Sequence, residues 1–349
     1  MNFGCWILDE THEWLISCKQ PFPINPKFII QNLTLRMIRI MKKILVISLF
    51  SLISLASLAQ KEAYLFCYFK GNGLDGLHLA SSTDGLHFTA LKNDSSFLKP
   101  TVSKDKLMRD PNILKGKDGY YHMVWTVSWQ DKGIGYARSK DLIHWSEQQF
   151  IPVMAHEPTA MNCWAPELQY DEKTQEYVIF WATTIPDRFV SKEEGKGDGK
   201  YNHRMYSVST KDFKTFSPTK LFYDPDFNVI DATIVKDKDQ YVMFLKDETK
   251  FPVQKNIKIA YSKSLNEPFS AASAPISTNW VEGPTAIKIG NEWIVYYDQY
   301  TRHKMGAIKS SDLKTWTDIS DSISFPKGTR HGTIFKVSKK ELKKLLLNE

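Results

Sequence analysis

The sequence predicts an all-β protein, a five-bladed β-propeller that is closed by a C-terminal strand. A motif with an acidic residue four positions before an aromatic one recurs along the chain, and aromatic and β-branched segments lie between its copies. Apart from a Lys-rich tail, the chain shows no sustained helical period. Four-stranded antiparallel units that repeat about every fifty residues are typical of propeller blades.

The recurring motif has four regular copies and one degenerate copy. Each regular copy follows a short strand of small residues, so each is expected to lie at the same turn of a blade. Five copies therefore predict five blades. The regular copies are Asp84–Phe88, Asp141–Trp145, Asp212–Phe216 and Asp312–Trp316, and the degenerate one is Ser264–Phe269.

The strand segments upstream of the motif show how the ring should close. Aromatic and β-branched runs such as Tyr120–Thr126 and Tyr177–Thr183 follow turn signals and predict the second strands of the blades. The first repeat, which begins near Ala63, lacks an innermost strand, whereas His331–Val337 is a strand without a partner. We expect this last strand to complete the first blade, because closure removes the exposed edges of an open array.

Composition and charge narrow the class of protein. The hydrophobic fraction of 42% and the charged fraction of 24% are ordinary for a globular protein. The formal net charge is +7, but no dense basic cluster is present, so a nucleic-acid partner is not expected. Cys67 and Cys163 are the cysteines beyond residue 60, and we expect two separate buried thiols.

The first 59 residues are expected to lie outside the catalytic domain. Residues 37–59 contain a basic segment with Arg39, an apolar run from Ile44 to Leu55, and small residues before Gln60, as in a secretory signal peptide. Residues 1–36 are expected to be a non-native or disordered extension, and residues 60–349 the catalytic propeller. The protein should be secreted into the periplasm or the medium, without stable membrane insertion after signal cleavage.

The predicted innermost strands bring three carboxylates to one point. Because these strands radiate from the axis, their first residues crowd the mouth of the central channel. Crowded carboxylates raise at least one pKa, so one group can donate a proton while an ionised neighbour accepts one. Such a pair cuts glycosidic bonds, although each Asp could instead cap a turn or pair with an arginine. The strands begin at Asp110, Ala165, Asp231, Gly283 and His331, and Glu282 precedes Gly283.

Five short motifs carry a resemblance to a known family. In order and spacing, the chain from about Ala63 to Val337 resembles glycoside hydrolase family 43, the five-bladed propeller glycosidases. The motifs are Arg109-Asp110-Pro111-Asn112-Ile113, Trp164-Ala165-Pro166-Glu167, Ile230-Asp231-Ala232, Glu282-Gly283-Pro284 and Arg330-His331-Gly332.

The resemblance implies a role for each carboxylate. Asp110 matches the general base that activates water, and Glu282 matches the general acid that protonates the leaving group. Asp231 matches the third carboxylate, which orients Glu282 and tunes its pKa. The resemblance also implies an inverting reaction that requires no redox cofactor.

Four further residues are candidates for substrate contacts. Trp164 could stack on a sugar or pack between blades, and Arg302 could reach a sugar hydroxyl or form a surface ion pair. Arg109 could contact the substrate or hold Asp110. His331 matches a histidine that in many members lies on the axis near a bound calcium or water, so it is a candidate calcium ligand, with a purely structural role as the favoured alternative. Trp129 is expected in core packing, and Glu167 has no predicted role.

The leading functional hypothesis is an exo-acting α-L-arabinofuranosidase or β-xylosidase that acts on plant oligosaccharides or polysaccharide side chains. Endo-arabinanase and 1,3-β-galactosidase activities stay open within the family. A propeller glycoside phosphorylase would need a cationic phosphate pocket, for which Arg302, His303, Arg330 and His331 are candidates. A non-catalytic sugar-binding propeller would tolerate loss of the acids, all of which are present.

Overall fold

The computed structural model of the chain describes residues 62–190 and 201–347, together with the isolated positions Met37, Met41 and Lys43. Apart from these three positions, the predicted extension 1–36 and the predicted signal peptide 37–59 lie outside the described residues, and both stay predictions. The chain divides into two units, Met1–Gln60 and Lys61–Glu349. Among the described residues, no helix is long and apolar enough to cross a membrane.

Five antiparallel sheets form the second unit, which confirms the predicted five-bladed propeller. Blade I contains β1 (Glu62–Tyr68), β2 (His78–Ser82) and β3 (Thr89–Ala90), with β19 (Thr333–Ser338) as its innermost strand. Blade II contains β4 (Arg109–Lys115), β5 (Tyr121–Thr126), β6 (Ile134–Ser139) and β7 (Gln149–Ile151). Blade III contains β8 (Trp164–Asp171), β9 (Glu176–Thr184), β10 (His203–Thr210) and β11 (Lys220–Tyr223). Blade IV contains β12 (Val229–Asp237), β13 (Gln240–Asp247) and β14 (Asn256–Ser262). Blade V contains β15 (Glu282–Ile289), β16 (Glu292–Gln299), β17 (Lys304–Ser310) and β18 (Thr317–Asp318).

The C-terminal strand closes the ring as predicted. Strand β19 pairs antiparallel with β1, with Val337 opposite Ala63 and Thr333 opposite Cys67. Helix α1 (Lys339–Leu347) follows directly and buries two leucines, while its four lysines face solvent. Ser338 and Glu341 form a capping box at its start, because each side chain accepts the backbone N–H of the other residue.

The hydrophobic core consists of five clusters, one between each pair of adjacent blades. The cluster between blades V and I joins Tyr296 and Ile287 to Phe66 and Ile334. Phe66 packs edge to face against Phe325, with the ring centroids 4.9 Å apart. Each blade therefore buries both of its faces, so the blades hold one another at fixed angles around the axis.

The recurring acidic motif closes the turn between the third and fourth strands of a blade. In blade II, Asp141 Oδ1 accepts the N–H groups of Ile143 and His144 at 2.9 and 2.8 Å. Ser139 Oγ accepts the N–H of Leu142 at 2.9 Å. The motifs that begin at Asp212 and Asp312 make the same bonds. The Asp of this motif therefore has a structural role in the turn and no role in catalysis.

Blade IV departs from the predicted four-stranded unit, since only three of its segments form regular strands. The segment 270–277, which follows the degenerate motif, still lies along β14 (Asn256–Ser262). Three of its serine hydroxyls accept N–H groups from β14 in place of backbone carbonyls, at 2.9 to 3.0 Å. The segment uses more residues than β14 to cover the same length. Its serine side chains therefore replace the backbone groups of a regular β-ladder.

The two described cysteines are separate buried thiols, as predicted. Cys67 lies on β1 and its Sγ donates to the carbonyl of Pro111 at 3.1 Å, which links blade I to blade II. Burial raises the pKa of Cys67 to about 12, so this thiol stays protonated and unreactive.

Candidate active site

One backbone feature recurs at the start of the innermost strands of blades II to V. One residue near the start of each strand adopts a left-handed conformation: Asp110 (φ 50°), Ala165 (φ 45°), Asp231 (φ 52°) and Gly283 (φ 59°). At the same place the register shifts against the neighbouring strand in all four blades. This shared bulge re-aims the side chain at the mouth of the channel, which explains why equivalent positions converge.

Blade V carries its carboxylate one residue earlier for a steric reason. A Cβ atom at Gly283 would lie 2.2 Å from Cγ of His331, so no side chain fits there. Glu282 precedes this glycine and has one more methylene than Asp, which gives it the reach to enter the same space. The glycine of the Glu282-Gly283-Pro284 motif is therefore a requirement of the crowded axis.

Six of the predicted site residues line one cavity of about 490 Å³. They are the three carboxylates Asp110, Asp231 and Glu282, together with Arg109, Trp164 and His331. Arg302 does not line this cavity, and its side chain is exposed on the turn after β16. The structure thus brings the predicted acids to one point and leaves Arg302 outside it.

Asp110 is an ionised carboxylate held between a hydroxyl and an imidazole. Its Oδ2 accepts the Thr126 hydroxyl at 2.8 Å, and its Oδ1 lies 3.4 Å from Nδ1 of His331. Burial alone would raise the pKa of Asp110, but His331, Arg109 and Thr126 outweigh it and hold the pKa at about 2. An ionised carboxylate at the cavity wall can accept a proton from water.

Asp231 differs from Asp110 in that its pKa is raised. Its Oδ2 accepts the backbone N–H of Gly283 at 3.0 Å, which ties it to the residue after Glu282. Burial raises the pKa of Asp231 to about 6, although the charges of His331 and Lys246 oppose the shift. Asp231 therefore exchanges its proton close to neutral pH and feels the charge of Glu282 directly.

Both oxygens of Glu282 face a cation. Oε1 accepts Nη2 of Arg330 at 2.8 Å, and Oε2 accepts Nζ of Lys246 at 3.2 Å. Burial would raise the pKa of Glu282, but Lys246, Arg330 and His331 lower it below its ordinary value. Nε of Arg330 also donates to the buried Asp298. In the unliganded site, Glu282 is therefore held in its ionised form.

His331 lies between the carboxylates as a cation. Burial would lower the pKa of His331, but Asp231, Asp110 and Glu167 raise it to about 9. Calcium prefers oxygen ligands, and an imidazole offers only nitrogen. Within residues 62–190 and 201–347, no three His, Cys, Asp or Glu side chains are grouped to hold a metal ion. The residues present do not fit a calcium ion at His331.

An aromatic and polar wall closes one side of the cavity. The Arg109 guanidinium lies 4.7 Å from the Phe69 ring centroid and 4.3 Å from that of Trp129. Asn72 Oδ1 accepts both Nη1 of Arg109 at 3.0 Å and Nε1 of Trp129 at 3.1 Å. Trp129 is 44% exposed and lines the cavity, so its expected place in core packing was wrong.

Trp164 serves as both wall and packing residue. Its Nε1 donates to the Trp129 carbonyl at 3.1 Å, and its ring meets Trp129 edge to face at 5.6 Å. The same ring lies 4.9 Å from the rings of Tyr201 and His203. The packing alternative is therefore confirmed, and the contact of Trp164 with a sugar stays a prediction.

Glu167 is a buried carboxyl without a cationic partner at salt-bridge distance among the described residues. It occupies the fourth position of β8, where β4 has Asn112, and β19 begins with Thr333. Asn112 Nδ2 donates to Thr333 Oγ1 at 3.0 Å, so these positions are polar and face one another. Burial raises the pKa of Glu167 to about 8, so it is protonated at neutral pH.

Sequence reasoning missed the residues that face the acids from the second strands. The partner of Arg109 across the sheet is Thr126, that of Ile230 is Lys246, and that of Glu282 is Asp298. The pairing of first and second strands could have identified them, because each residue before a bulge has a cross-strand partner at the same rim of the cavity. Reading only the first strands left these three polar residues unassigned.

The comparisons with known proteins agree with this architecture. A sequence profile described as a probable glycosyl hydrolase domain, related to glycoside hydrolase family 43, matches residues 60–343. An α-L-arabinofuranosidase of Bifidobacterium longum subsp. longum is 25% identical over 259 residues, covering 63% of this chain and 24% of that protein. The chain therefore spans about a quarter of the length of this curated relative.

Solved structures to which the chain is similar include an α-L-arabinofuranosidase from Lactobacillus brevis, 21% identical, with 61% of this chain and 72% of that chain covered and a TM-score of 0.48. A thermostable family-43 glycoside hydrolase is 18% identical, with 64% and 78% covered and a TM-score of 0.49. The profile match over most of the chain decides the assignment: the chain belongs to the family of probable glycosyl hydrolase domains related to glycoside hydrolase family 43.

Proposed function

We propose that the chain is an exo-acting, inverting glycosidase that removes α-L-arabinofuranosyl or β-xylosyl units from plant oligosaccharides or polysaccharide side chains. One observation carries the proposal: Asp110, Asp231 and Glu282 line a single cavity and differ in their affinity for protons. Carboxyls with different proton affinities on one cavity are what general acid and base catalysis at a glycosidic bond needs.

The proposed reaction balances two proton transfers. Asp110 accepts a proton from water, whose oxygen attacks the anomeric carbon as the bond to the leaving oxygen breaks. Glu282 gives its proton to that leaving oxygen, so the products are a free sugar and an alcohol. Asp110 then releases its proton to solvent, and Glu282 takes up its next proton from solvent, so the two transfers balance over one turnover. Asp231 accepts the Gly283 N–H at 3.0 Å and thereby fixes the backbone from which Glu282 extends.

The wall of the cavity supports exo action on a sugar. Trp129 and Trp164 present ring surfaces to the cavity, and aromatic faces stack on the apolar faces of sugar rings. Arg109 is held flat by two rings and by Asn72, so its remaining N–H groups are in place for sugar hydroxyls. A cavity closed on one side favours a terminal sugar over an internal one. The preference for arabinose or xylose follows the activities common in the family, and Bifidobacterium longum supplies one arabinofuranosidase relative.

The phosphorylase alternative finds less support. Arg302 and His303 do not line the cavity, and Arg330 is already engaged by Glu282 and Asp298. A phosphate would have to compete with two carboxylates for the same guanidinium. Hydrolysis is therefore the proposal that these contacts favour.

We further propose that the protein is exported by the segment 37–59 and works in the periplasm or the medium, where a plant-derived carbohydrate would meet it. The reaction as written needs no redox cofactor, since it transfers only protons and a glycosyl group. Comparing the protein made from Met37 or Met41 with one lacking residues 37–59, by fractionation of the producing cells, tests the export.

The activity is tested with nitrophenyl α-L-arabinofuranoside, β-xyloside and β-galactoside. Wild type is expected to release nitrophenol from at least one of them, and Glu282→Ala is expected to lose this activity. Glu292→Ala is the matched control, because Glu292 lies on the same blade and pairs with Lys309 away from the cavity. Full activity in Glu282→Ala would contradict the proposal.

The stereochemical outcome is tested by proton NMR of the first-formed anomer. Inversion is expected from a base that activates water, and retention would require a carboxylate that attacks the sugar itself. A retained configuration would therefore remove Asp110 from its role as base. Turnover that depends on added phosphate would favour the phosphorylase instead.

A further inference from the structure

Lys246 is a buried lysine that touches the proposed acid and that the reaction as written does not use. It lies on β13, is 1% exposed, and its Nζ is 3.2 Å from Oε2 of Glu282 on the next blade. A second carboxylate, Oε2 of Glu248, is closer at 2.6 Å. The Nζ also lies 4.9 Å from the ring centroid of Tyr300 at the cavity rim.

The ammonium group keeps its charge in this environment. Burial would lower the pKa of Lys246, but Glu248, Glu282 and Asp231 raise it above its ordinary value. Glu248 does not neutralise Lys246 by itself, because its other oxygen pairs with the buried Lys255. One carboxylate is thus shared by two lysines, and part of the charge of Lys246 remains for Glu282.

The two cations on Glu282 differ in their freedom to move. Arg330 has a planar guanidinium whose Nε is fixed by Asp298, which is itself 1% exposed. Lys246 has a flexible stem and a second carboxylate within reach. An incoming leaving group that needs an oxygen of Glu282 can displace Lys246 toward Glu248, whereas displacing Arg330 would leave Asp298 unpaired.

We propose that Lys246 is the movable half of a two-cation clamp and determines when Glu282 can carry the proton that the reaction needs. In the empty site the clamp is closed and Glu282 is ionised. When the leaving-group oxygen approaches Oε2, Lys246 shifts fully onto Glu248, and Glu282 takes up a proton from solvent. Glu282 gives that proton to the leaving oxygen as the glycosidic bond breaks. Lys246 then returns to Glu282, which is ionised again. Lys246 is a positioning residue, since it acts through Glu282.

Other charged groups also face Glu282 and must be held constant in a test. They are Arg330 and His331 before β19, Asp110 of β4, Asp231 of β12 and Asp298 of β16. The variants therefore change Lys246 or Glu248 and leave these groups intact. This inference rests on the proposed glycosidase function, so one of its two measurements does not require turnover.

The first measurement is the alkaline limb of the pH profile of kcat/KM, where Glu282 loses the proton it must donate. Lys246→Met is expected to move this limb up by about one pH unit, because a nearby cation lowers a carboxyl pKa by about one to three units. Lys246→Arg is expected to keep the wild-type limb. Glu248→Gln is expected to move it down, because Lys246 then faces Glu282 alone. A uniform fall in kcat/KM with an unmoved limb would overturn the proposal.

The matched control is Lys258→Met. Lys258 is another lysine of blade IV and pairs with the buried Asp247 at 2.7 Å, but it does not line the cavity. It is expected to lower stability without moving the limb. A shift as large as that of Lys246→Met would mean that any lost charge in this blade moves the profile, which contradicts the clamp.

The second measurement is the titration of the Glu282 carboxyl by carbon-13 NMR in protein labelled at the glutamate δ-carbon, with Glu282→Gln to assign the signal. The midpoint is expected to rise by about one unit in Lys246→Met. An unchanged midpoint would overturn the clamp even if the enzyme is active. If wild type hydrolyses no glycoside, the proposed function fails while this titration still decides the role of Lys246.

Discussion

Asp110 and Asp231 occupy the same place in two blades, and they behave as different chemical groups. Both lie at the bulge of an innermost strand, both have φ near 50°, and both line the same cavity. Yet the pKa of Asp110 is lowered to about 2, whereas that of Asp231 is raised to about 6. The shared backbone explains their position and cannot explain the difference.

The difference comes from the neighbours on each side. Asp110 follows Arg109 and accepts the hydroxyl of Thr126 at 2.8 Å, whereas Asp231 follows the apolar Ile230. His331 Nδ1 lies 3.4 Å from an oxygen of Asp110 and 4.0 Å from one of Asp231. The repeat therefore fixes where a carboxyl stands, and the residues around it decide whether it keeps a proton.

The largest expected effect separates the two aspartates directly. Asp110→Asn removes a charge present at every working pH and is expected to lower kcat by about 10²- to 10⁴-fold, as loss of a general base does. Asp231→Asn resembles the protonated form that Asp231 already adopts below about pH 6. Its loss of activity is therefore expected to be smaller at pH 5 than at pH 7.5. Steady-state kinetics at both values measure this.

The control for this pair is Asp239→Asn, which changes an exposed aspartate in the β12–β13 turn of blade IV. It is expected to keep wild-type kinetics at both pH values. Equal losses of kcat in Asp110→Asn and Asp231→Asn at pH 5 would show that the two carboxyls share one protonation state. This result would contradict the difference between the two aspartates.

The next effect tests the histidine that both aspartates share. His331→Gln removes the imidazolium that contributes most to lowering the pKa of Asp110 against its burial. The acid limb of kcat/KM, where Asp110 gains a proton, is expected to move up by about one to two pH units. A pH profile between 3 and 7, taken within the range where circular dichroism shows folded protein, measures the shift. An unmoved limb would mean that Arg109 and Thr126 alone keep Asp110 ionised.

Glu167 extends the comparison to a carboxyl that keeps its proton at neutral pH. Its pKa is raised to about 8 from the ordinary value of 4.5, so the folded state binds this proton more tightly than the unfolded state. Its contribution to stability is therefore full below about pH 4.5 and is lost as the pH rises through 8. Relative to wild type, Glu167→Gln is expected to gain more than about 1 kcal/mol in unfolding free energy between pH 5 and 8.

Urea unfolding at the two pH values measures this gain. His331, whose pKa is raised to about 9, contributes stability below about pH 6.5 that is lost as the pH rises through 9, in wild type and variant alike. Glu292→Gln, which changes an exposed carboxyl, should show no comparable gain. A constant difference between Glu167→Gln and wild type across this range would mean that Glu167 is ionised in the folded protein.

The sequence predicted those features that depend on local pattern. The turn motif that begins at Asp141 and the apolar runs between its copies were sufficient for five blades, and the unpaired strand after His331 was sufficient for closure. The positions of Asp110, Asp231 and Glu282 followed from aligning equivalent strands. Each of these is carried by residues adjacent in the chain.

The features that sequence could not supply depend on residues far apart in the chain. Lys246 faces Glu282 across a blade boundary, and its role depends on a salt bridge that no local spacing encodes. Arg302 was chosen for its charge, but the turn it occupies points its side chain to solvent. Trp129 was assigned to the core because it is apolar, whereas its place depends on Asn72, 57 positions earlier.

The smallest expected effect tests the Thr126 hydroxyl, which forms a hydrogen bond with Asp110 and has no counterpart at Asp231 among the described residues. Thr126 Oγ1 donates to Asp110 Oδ2 at 2.8 Å and accepts the N–H of Ala165 at 2.8 Å. Thr126→Val keeps the shape and removes both bonds, so the acid limb is expected to rise by roughly half a pH unit, less than in His331→Gln. The unsatisfied N–H of Ala165 is expected to cost about 1 to 3 kcal/mol in unfolding free energy. Thr126→Ser, which keeps the hydroxyl, should restore the limb and most of the stability. If Thr126→Val instead moves the limb as far as His331→Gln does, the cross-strand hydroxyl rather than the imidazolium separates the two aspartates.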